Sequence, residues 1–286
     1  MKVHLDCIPC FQRQALQAAR FVTKDEKLQE DILRAVIKQL QDLDWGKSPP
    51  DISHTVHKIV RDMTGAEDPY RDVKKHYNDI ALEMYPKYRK IVEDSPDPLL
   101  SAVRLAIAGN VIDFGASSRF DLTDTIKKVM GKDFSVFHYS RLKASLGKAR
   151  TITFLSDNTG EIVFDRILLE TIYNEYDIEK TRFGVKGAPI INDATVEDAV
   201  YVGIDDLDNV EFININVGPS NTGLKRTGRE FQEILNGSDT IISKGQGNYE
   251  ALSENESIFF MLIAKCPVIA SDLGVDIGDI ILKGRG

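Results

Sequence analysis

Thr151-Ile152-Thr153-Phe154-Leu155-Ser156-Asp157-Asn158-Thr159-Gly160-Glu161 decides how this chain folds. Its first five residues are a short β-branched and apolar run, which predicts a strand. Residues 161–175 then return to helical spacing. An acid, an amide and a glycine stand at the change. Further strand candidates lie near 180–185, 210–216, 238–243, 267–270 and 279–283, with helical stretches between most of them. Strands alternating with helices predict βαβ units and a parallel sheet. In open sheets of this kind ligands bind beyond the carboxyl ends of the strands, where Asp157 to Glu161 would lie.

Toward the N-terminus the pattern is helical. Leu28, Ile32, Leu33, Val36, Ile37, Leu40 and Leu43 recur in steps of three and four and predict a helix over 26–43. Pro49 and Pro50 begin a new segment, with Asp51 or Ser53 as its cap. Asp68-Pro69 opens another helix, and Pro86, Pro96 and Pro98 punctuate the region after it. Residues 99–113 form the most apolar helical stretch. The expected organisation is α/β overall, with a helical domain over 1–145 and a Rossmann-like domain over 146–286.

The chain has 286 residues, 42% apolar and 28% charged, which fits a globular protein with a substantial core. A net charge of -8 argues against a nucleic-acid partner, whose phosphates require clustered cations. A small phosphorylated ligand needs only one local positive site. No secretory signal is visible at the N-terminus, and no apolar run approaches the ~18 residues of a spanning helix. A cytoplasmic location without membrane contact is therefore expected. Cys7, Cys10 and Cys266 do not make a disulfide framework. Cys7 and Cys10 read as a structural thiol pair, or as part of a mixed metal site completed by His4 and Cys266.

Asp157 and Asn158 supply hard oxygen atoms suited to Mg²⁺ or Mn²⁺. Glu161, in the first helical turn, is favoured by the helix dipole. The same residues can simply cap the helix. Gly187-Ala188-Pro189-Ile190-Ile191-Asn192-Asp193-Ala194-Thr195 adds a second carboxylate, Asp193, at a second strand end, although Asp193 or Thr195 can also be a cap. Ser243-Lys244-Gly245-Gln246-Gly247-Asn248 comes after another strand. There Lys244 can neutralise a phosphate, while Gly245 and Gly247 let backbone N–H groups approach it; taken alone, the segment also reads as a glycine turn with a surface lysine. It is not a Walker A loop. Gly218 to Gly223 is a further glycine loop for the same rim. Asn110 and Asp113 share a helix face, either as buried partners or as ligand contacts. Asp68, Tyr70, Lys74 and Asn78 run down another face, which also reads as solvated. His54 and His57 fit a polar helix face.

In this order, the Cys7–Cys10 pair, Asp68–Tyr70, Gly109–Asp113, Asp157–Glu161, Gly187–Thr195 and Lys244–Asn248 resemble the damage-control phosphatase family, also called domain-of-unknown-function family 89 or acidic-residue methyltransferase-like. The N-terminal cysteine pair resembles its compact stand-alone prokaryotic and archaeal branch. The resemblance implies a helical domain packed on a three-layer α/β domain, with metal-dependent hydrolysis of phosphate monoesters in the cleft between them. The substrates it implies are sugar phosphates or damaged phosphometabolites, as in metabolite repair. It implies Asp157, Asn158 and Asp193 as ligands of Mg²⁺ or Mn²⁺, with Co²⁺ or Ni²⁺ as alternatives. It also implies Lys244 as the phosphate contact, and Asn110 and Asp113 as residues reaching the cleft. Gly245, Gly247 and Asn248 complete the expected substrate contacts. Asp113 or Glu161 is the expected general base. Asp157 as a covalent nucleophile is disfavoured, because Thr159 stands where such enzymes carry a second Asp. Two other readings are a carboxyl methyltransferase using S-adenosylmethionine and a non-catalytic phosphometabolite sensor. Against the first, no GxGxG loop comes after the first strand.

Overall fold

The protein is described from a computed structural model covering residues 1–110, 119–216, 224–225 and 228–284. Asp113 and the Gly218–Gly223 loop lie outside the described residues. The first part of the chain forms α1 (Cys7–Val22), α2 (Glu26–Gln41), α3 (Pro49–Thr64), α4 (Arg71–Glu93), α5 (Pro98–Gly109) and α6 (Arg119–Met130). Then come β1 (Phe134–Phe137), α7 (Tyr139–Leu146), β2 (Thr151–Leu155), α8 (Glu161–Glu175), β3 (Lys180–Lys186), α9 (Val196–Tyr201) and β4 (Val210–Asn216). The chain ends with β5 (Leu224–Lys225), α10 (Arg229–Asn236), β6 (Thr240–Lys244), α11 (Gln246–Leu252), β7 (Ile258–Ile263), α12 (Pro267–Leu273) and β8 (Ile280–Lys283).

Several boundaries differ from the sequence expectation for local reasons. Ser48, not Asp51 or Ser53, caps α3, and Asp51 closes the capping box from the third helical position. Pro49 and Pro50 then occupy the first turn, where a missing N–H costs nothing. Asp68 accepts the Tyr70 N–H at 2.9 Å, and this turn delays the start of α4 to Arg71. Pro86 does not end α4 but lies inside it. The strand expected at 267–270 is α12, with Pro267 in its first turn. The strand of that region is β7, whose six residues are all buried. An unbroken apolar run carries no alternation, so its period does not separate strand from helix.

Among the described residues eight strands form one sheet in the order β1-β8-β7-β6-β2-β3-β4-β5. All neighbours are parallel except β7 and β8. Alternate residues of a strand face opposite sides. Phe259, Met261 and Ile263 join Phe154, Phe183 and Leu282 beneath α4, α5 and α8. Ile258, Phe260 and Leu262 join Ile241 and Ile281 against α10, α11 and α12. Helices thus cover both faces, and the three-layer α/β architecture is present. β1 precedes residue 146 yet belongs to this sheet.

The helical half is divided between two cores. Phe11, Ala15, Ile32, Val36, Val56 and Val60 pack α1, α2 and α3 on one another, with Tyr70 joining them. α4 and α5 instead contribute Tyr77, Met84, Leu99 and Leu105 to the core beneath the sheet. α8 is buried on nearly every side: among its first twelve residues only Arg166 and Glu170 are partly open. Gly109 brings α5 close to it: a Cβ there would lie 2.8 Å from Phe164 Cδ2. No described helix is long and apolar enough to cross a membrane.

His57 lies on the inner face of α3, not on a polar one. It is 2% exposed, Nε2 has no hydrogen-bond partner among the described residues, and the ring meets Tyr70 edge-on at 5.8 Å. Burial, then the nearby Arg61 and His54, push its pKa from 6.5 down to about 3. The folded protein therefore binds this proton less tightly than the unfolded chain. The stability it contributes is present above pH 6.5 and lost as pH falls toward 3. His57→Phe removes that dependence, so its melting midpoint should fall less than that of the wild type on acidification through this window. Parallel melting curves for the two proteins would contradict the assignment.

Candidate metal centre

β2 occupies the switch point of the sheet. The chain continues from it through β3 and β4 on one side, then returns to lay β6 and β7 on the other. Ligands of doubly wound sheets bind at such a crevice. Leu155 of β2 is level with Ser243 of β6, so Asp157 and Gly245 emerge side by side. Gly245 has a φ of 76°, and a Cβ on it would lie 1.8 Å from Asp157 Oδ2. Only glycine permits that approach. Its N–H, however, donates to the Met261 carbonyl at 3.0 Å and is not offered to a phosphate. Asn248, expected at the substrate, is 1% exposed. Its amide donates to the carbonyls of Ser156 at 3.0 Å and Lys244 at 2.8 Å, tying the ends of β2 and β6 together. Gly247 lies in the first turn of α11, and open space surrounds the place where its Cβ would stand.

The loops after β2 and β3 pair with each other. Asn158 and Asp193 form an isolated antiparallel bridge. The Thr159 N–H donates to the Asn192 carbonyl at 2.9 Å, and the Ala194 N–H to the Asp157 carbonyl at 2.8 Å. Asp157, Asn158 and Asp193 are brought together in this way. Ile191, two residues before Asp193, adopts a φ of 47°. A β-branched residue rarely enters this region, at a cost of about 1–3 kcal/mol. Its side chain packs against the core of α1, α2 and α3, and Arg61 of α3 donates to the Pro189 carbonyl at 3.2 Å.

Beneath these loops lies a buried ionic cluster. Lys244 is 0% exposed, so it is neither a surface lysine nor the open phosphate contact expected from sequence. Its ammonium donates to Glu161 Oε1 at 2.6 Å, Asp165 Oδ1 at 2.5 Å and the Ala106 carbonyl at 2.9 Å. All three protons are engaged. Burial favours the neutral amine, but Asp165 and Glu161 outweigh it and raise the pKa of Lys244. Asp165 is pushed up to about 7 by burial, against the pull of Lys244. Glu161 Oε2 accepts from Asn110 at 2.7 Å and Asn158 at 3.0 Å. Fully buried and bonded through both oxygens, Glu161 is an orienting carboxylate, not a solvent-facing base. Asn110 reaches Asp157 Oδ2 at 3.1 Å from the end of α5.

Two features of this chain fit a cation. The first is an excess of negative charge: Asp157, Glu161, Asp165 and Asp193 converge, with Lys244 and Lys186 at ion-pair distance. Asp157 keeps part of its surface open. Its carboxyl is nonetheless pushed up to about 7, first by burial, then by Asp193 and Glu161, against Lys186 and Lys265. The second is Asn110 Oδ1, a buried amide oxygen with no hydrogen-bond partner among the described residues. The Asn158 Nδ2 is bonded to Asp157 at 2.7 Å and to Glu161, which leaves its amide oxygen as the donor atom. Two carboxylates and an amide suit a hard cation whose other positions are taken by water or substrate. Among the described residues, no group of three His, Cys, Asp or Glu side chains forms a metal cluster.

Sequence reading missed Lys186 and Asp165. Lys186, 6% exposed at the end of β3, reaches Asp193 at 3.1 Å. A lysine after Phe183-Gly184-Val185, at the carboxyl end of a strand, was its only signal. Asp165 stands one turn after Glu161 in an apolar helix, a spacing that puts both on one face. Away from this centre, Cys7, Cys10 and Cys266 are free thiols. His4, considered as a partner for them, turns its imidazole to Asp6 at 2.7 Å, while its backbone N–H donates to Cys7 Sγ at 3.4 Å.

The sequence profile of the damage-control phosphatase ARMT1-like domain matches residues 3–281. A damage-control phosphatase of Archaeoglobus fulgidus is 32% identical, over 99% of both chains. One of Pyrococcus horikoshii is 33% identical, over 98% of this chain and 97% of that one. An uncharacterized Methanocaldococcus jannaschii protein is 35% identical over 100% of this chain and 96% of its own. The crystal structure of a Pyrococcus horikoshii protein of domain-of-unknown-function family 89 superposes with a TM-score of 0.86, at 31% identity and full coverage of both chains. Fold and whole-length similarity agree, and the chain belongs to the damage-control phosphatase ARMT1-like family.

Proposed function

We propose that this protein is a metal-dependent phosphatase acting on small phosphate monoesters, such as sugar phosphates or damaged phosphometabolites. The observation that carries the reading is the pairing of two strand-end loops, which sets Asp157, Asn158 and Asp193 together above a buried acidic cluster. The relatives named damage-control phosphatases supply the reaction class.

Asp157, Asn158 and Asp193 would hold the divalent cation, Mg²⁺ or Mn²⁺ by donor type, with Co²⁺ or Ni²⁺ as alternatives. When bound, it supplies positive charge to the phosphate oxygens and lowers the pKa of an attacking water. Lys186 takes the role that sequence reading gave to Lys244: beside Asp193, it stabilises charge on the transferring phosphoryl group. Asn110 and Glu161 hold Asp157 and Asn158 in place from behind. The turn from Ser156 to Gly160 has only one glycine, which leaves the methyl-transfer alternative without a nucleotide-binding loop.

Asp157→Ala or Asp193→Ala should lower Mn²⁺-dependent hydrolysis of p-nitrophenyl phosphate by at least about 100-fold, and Lys186→Ala should lower kcat by about 100-fold. Undiminished activity in both aspartate variants would sink the assignment. A second expectation concerns the metal-free protein. The carboxyl of Asp157 moves from 3.8 to about 7 on folding, so the folded state holds its proton more tightly. Stability from that proton is present below pH 3.8 and lost as pH rises through about 7. Asp157→Asn cannot ionise. Melted in chelator, it should gain on the wild type progressively across this window, whereas a pH-independent difference would contradict the raised carboxyl.

A further inference from the structure

We infer that α4 is a clamp that holds the two metal-bearing loops in register, with Asn78 as its positioning residue. The inference rests on the metal reading proposed for these loops. Asn78 is 1% exposed and reaches one loop directly and the other through Asp198 of α9. Its Oδ1 accepts the Gly160 N–H at 2.7 Å, three residues after Asp157. This N–H belongs to the residue that starts α8, and the helix offers no side-chain cap of its own. Asn78 Nδ2 donates to Asp198 Oδ1 at 3.4 Å. Asp198 is the far half of a capping box with Thr195, whose N–H and Oγ1 reach Asp198 Oδ2 at 3.0 and 2.7 Å. Thr195 stands two residues after Asp193. One amide on α4 therefore bonds the Asp157 loop directly and is linked to the Asp193 loop through Asp198 and Thr195.

Lys74 reinforces the second arm. It stands one turn before Asn78, is 4% exposed, and reaches Asp198 Oδ2 at 2.7 Å and Asp68 Oδ2 at 3.3 Å. Sequence reading left this helix face open to solvation, but it is turned inward. Apolar residues would fill the same space without the desolvation that a buried ammonium and amide carry. Tyr77, Ala81 and Met84 show that the inner face of α4 packs in this way elsewhere. What the polar pair adds is directional: the amide fixes Gly160 and Asp198 relative to one point on one helix. Partners behind metal ligands commonly set ligand orientation, and losing one costs about 10- to 100-fold in metal affinity.

The test is calorimetric titration of Mn²⁺ alone into the metal-free full chain. Asn78→Leu removes both arms, and Asn78→Asp keeps the acceptor for Gly160. The clamp predicts that Asn78→Leu, folded by circular dichroism, binds Mn²⁺ about 10- to 100-fold more weakly, with Asn78→Asp between it and the wild type. Wild-type affinity in Asn78→Leu, or equal weakening in both variants, overturns the clamp and leaves the metal reading standing. No Mn²⁺ binding by the wild type overturns both. Should Asn78→Leu not fold, Lys74→Met makes the comparison: weakened binding supports the clamp, and unchanged binding overturns it.

Discussion

Lys244 is cut off from water, and the site depends on how its charge is met. An unpaired ammonium in that position would cost several kcal/mol. Here Glu161 and Asp165, one turn apart on α8, and the Ala106 carbonyl on α5 accept its three protons. The demand fixes β6, α8 and α5 against one another, and Gly109 lets α5 come close enough. It also fixes Glu161, whose second oxygen turns the amides of Asn110 and Asn158 toward Asp157. The open face of the centre is oriented by what lies beneath it.

The cluster is left acidic. Asp157 holds its proton to about 7 because Asp193 and Glu161 add to the effect of burial. A cation at the mouth relieves that repulsion, so its binding would add to the stability of the folded state. The strained backbone of Ile191 fits this picture, since strain gathers at sites that the surrounding structure holds in place. α3 holds that loop through Arg61, and the core of α1, α2 and α3 receives Ile191 itself. The helical half thus acts on the centre from two sides, through α3 and through α4.

Much of this was legible in the sequence. The strand-turn-helix at Thr151 to Glu161, the second loop at Asp193 and the alternation around them locate the switch point, because ligand-bearing turns carry local signatures of acid, amide and glycine. Roles that depend on burial were not legible. Lys244 reads the same whether its ammonium faces a phosphate or two carboxylates from α8. Glu161 reads as a helix-start acid, and nothing local shows that it is enclosed. Asn78 and Lys74 pass for a solvated face, because Gly160 at the cap of α8 and Asp198 on α9, which turn them inward, lie more than eighty residues away. β7 was overlooked for the opposite reason: burial on both faces erases the alternation by which a strand is recognised.

The proposal that the paired loops after β2 and β3 hold one divalent cation above the buried lysine cluster is decided by anomalous scattering from a crystal grown with Mn²⁺. A single strong peak is expected within coordination distance of the Asp157 and Asp193 carboxylates and the Asn158 amide oxygen, with Lys244 still enclosed beneath. A crystal with no peak there, or with Mn²⁺ bound only elsewhere on the chain, would contradict it.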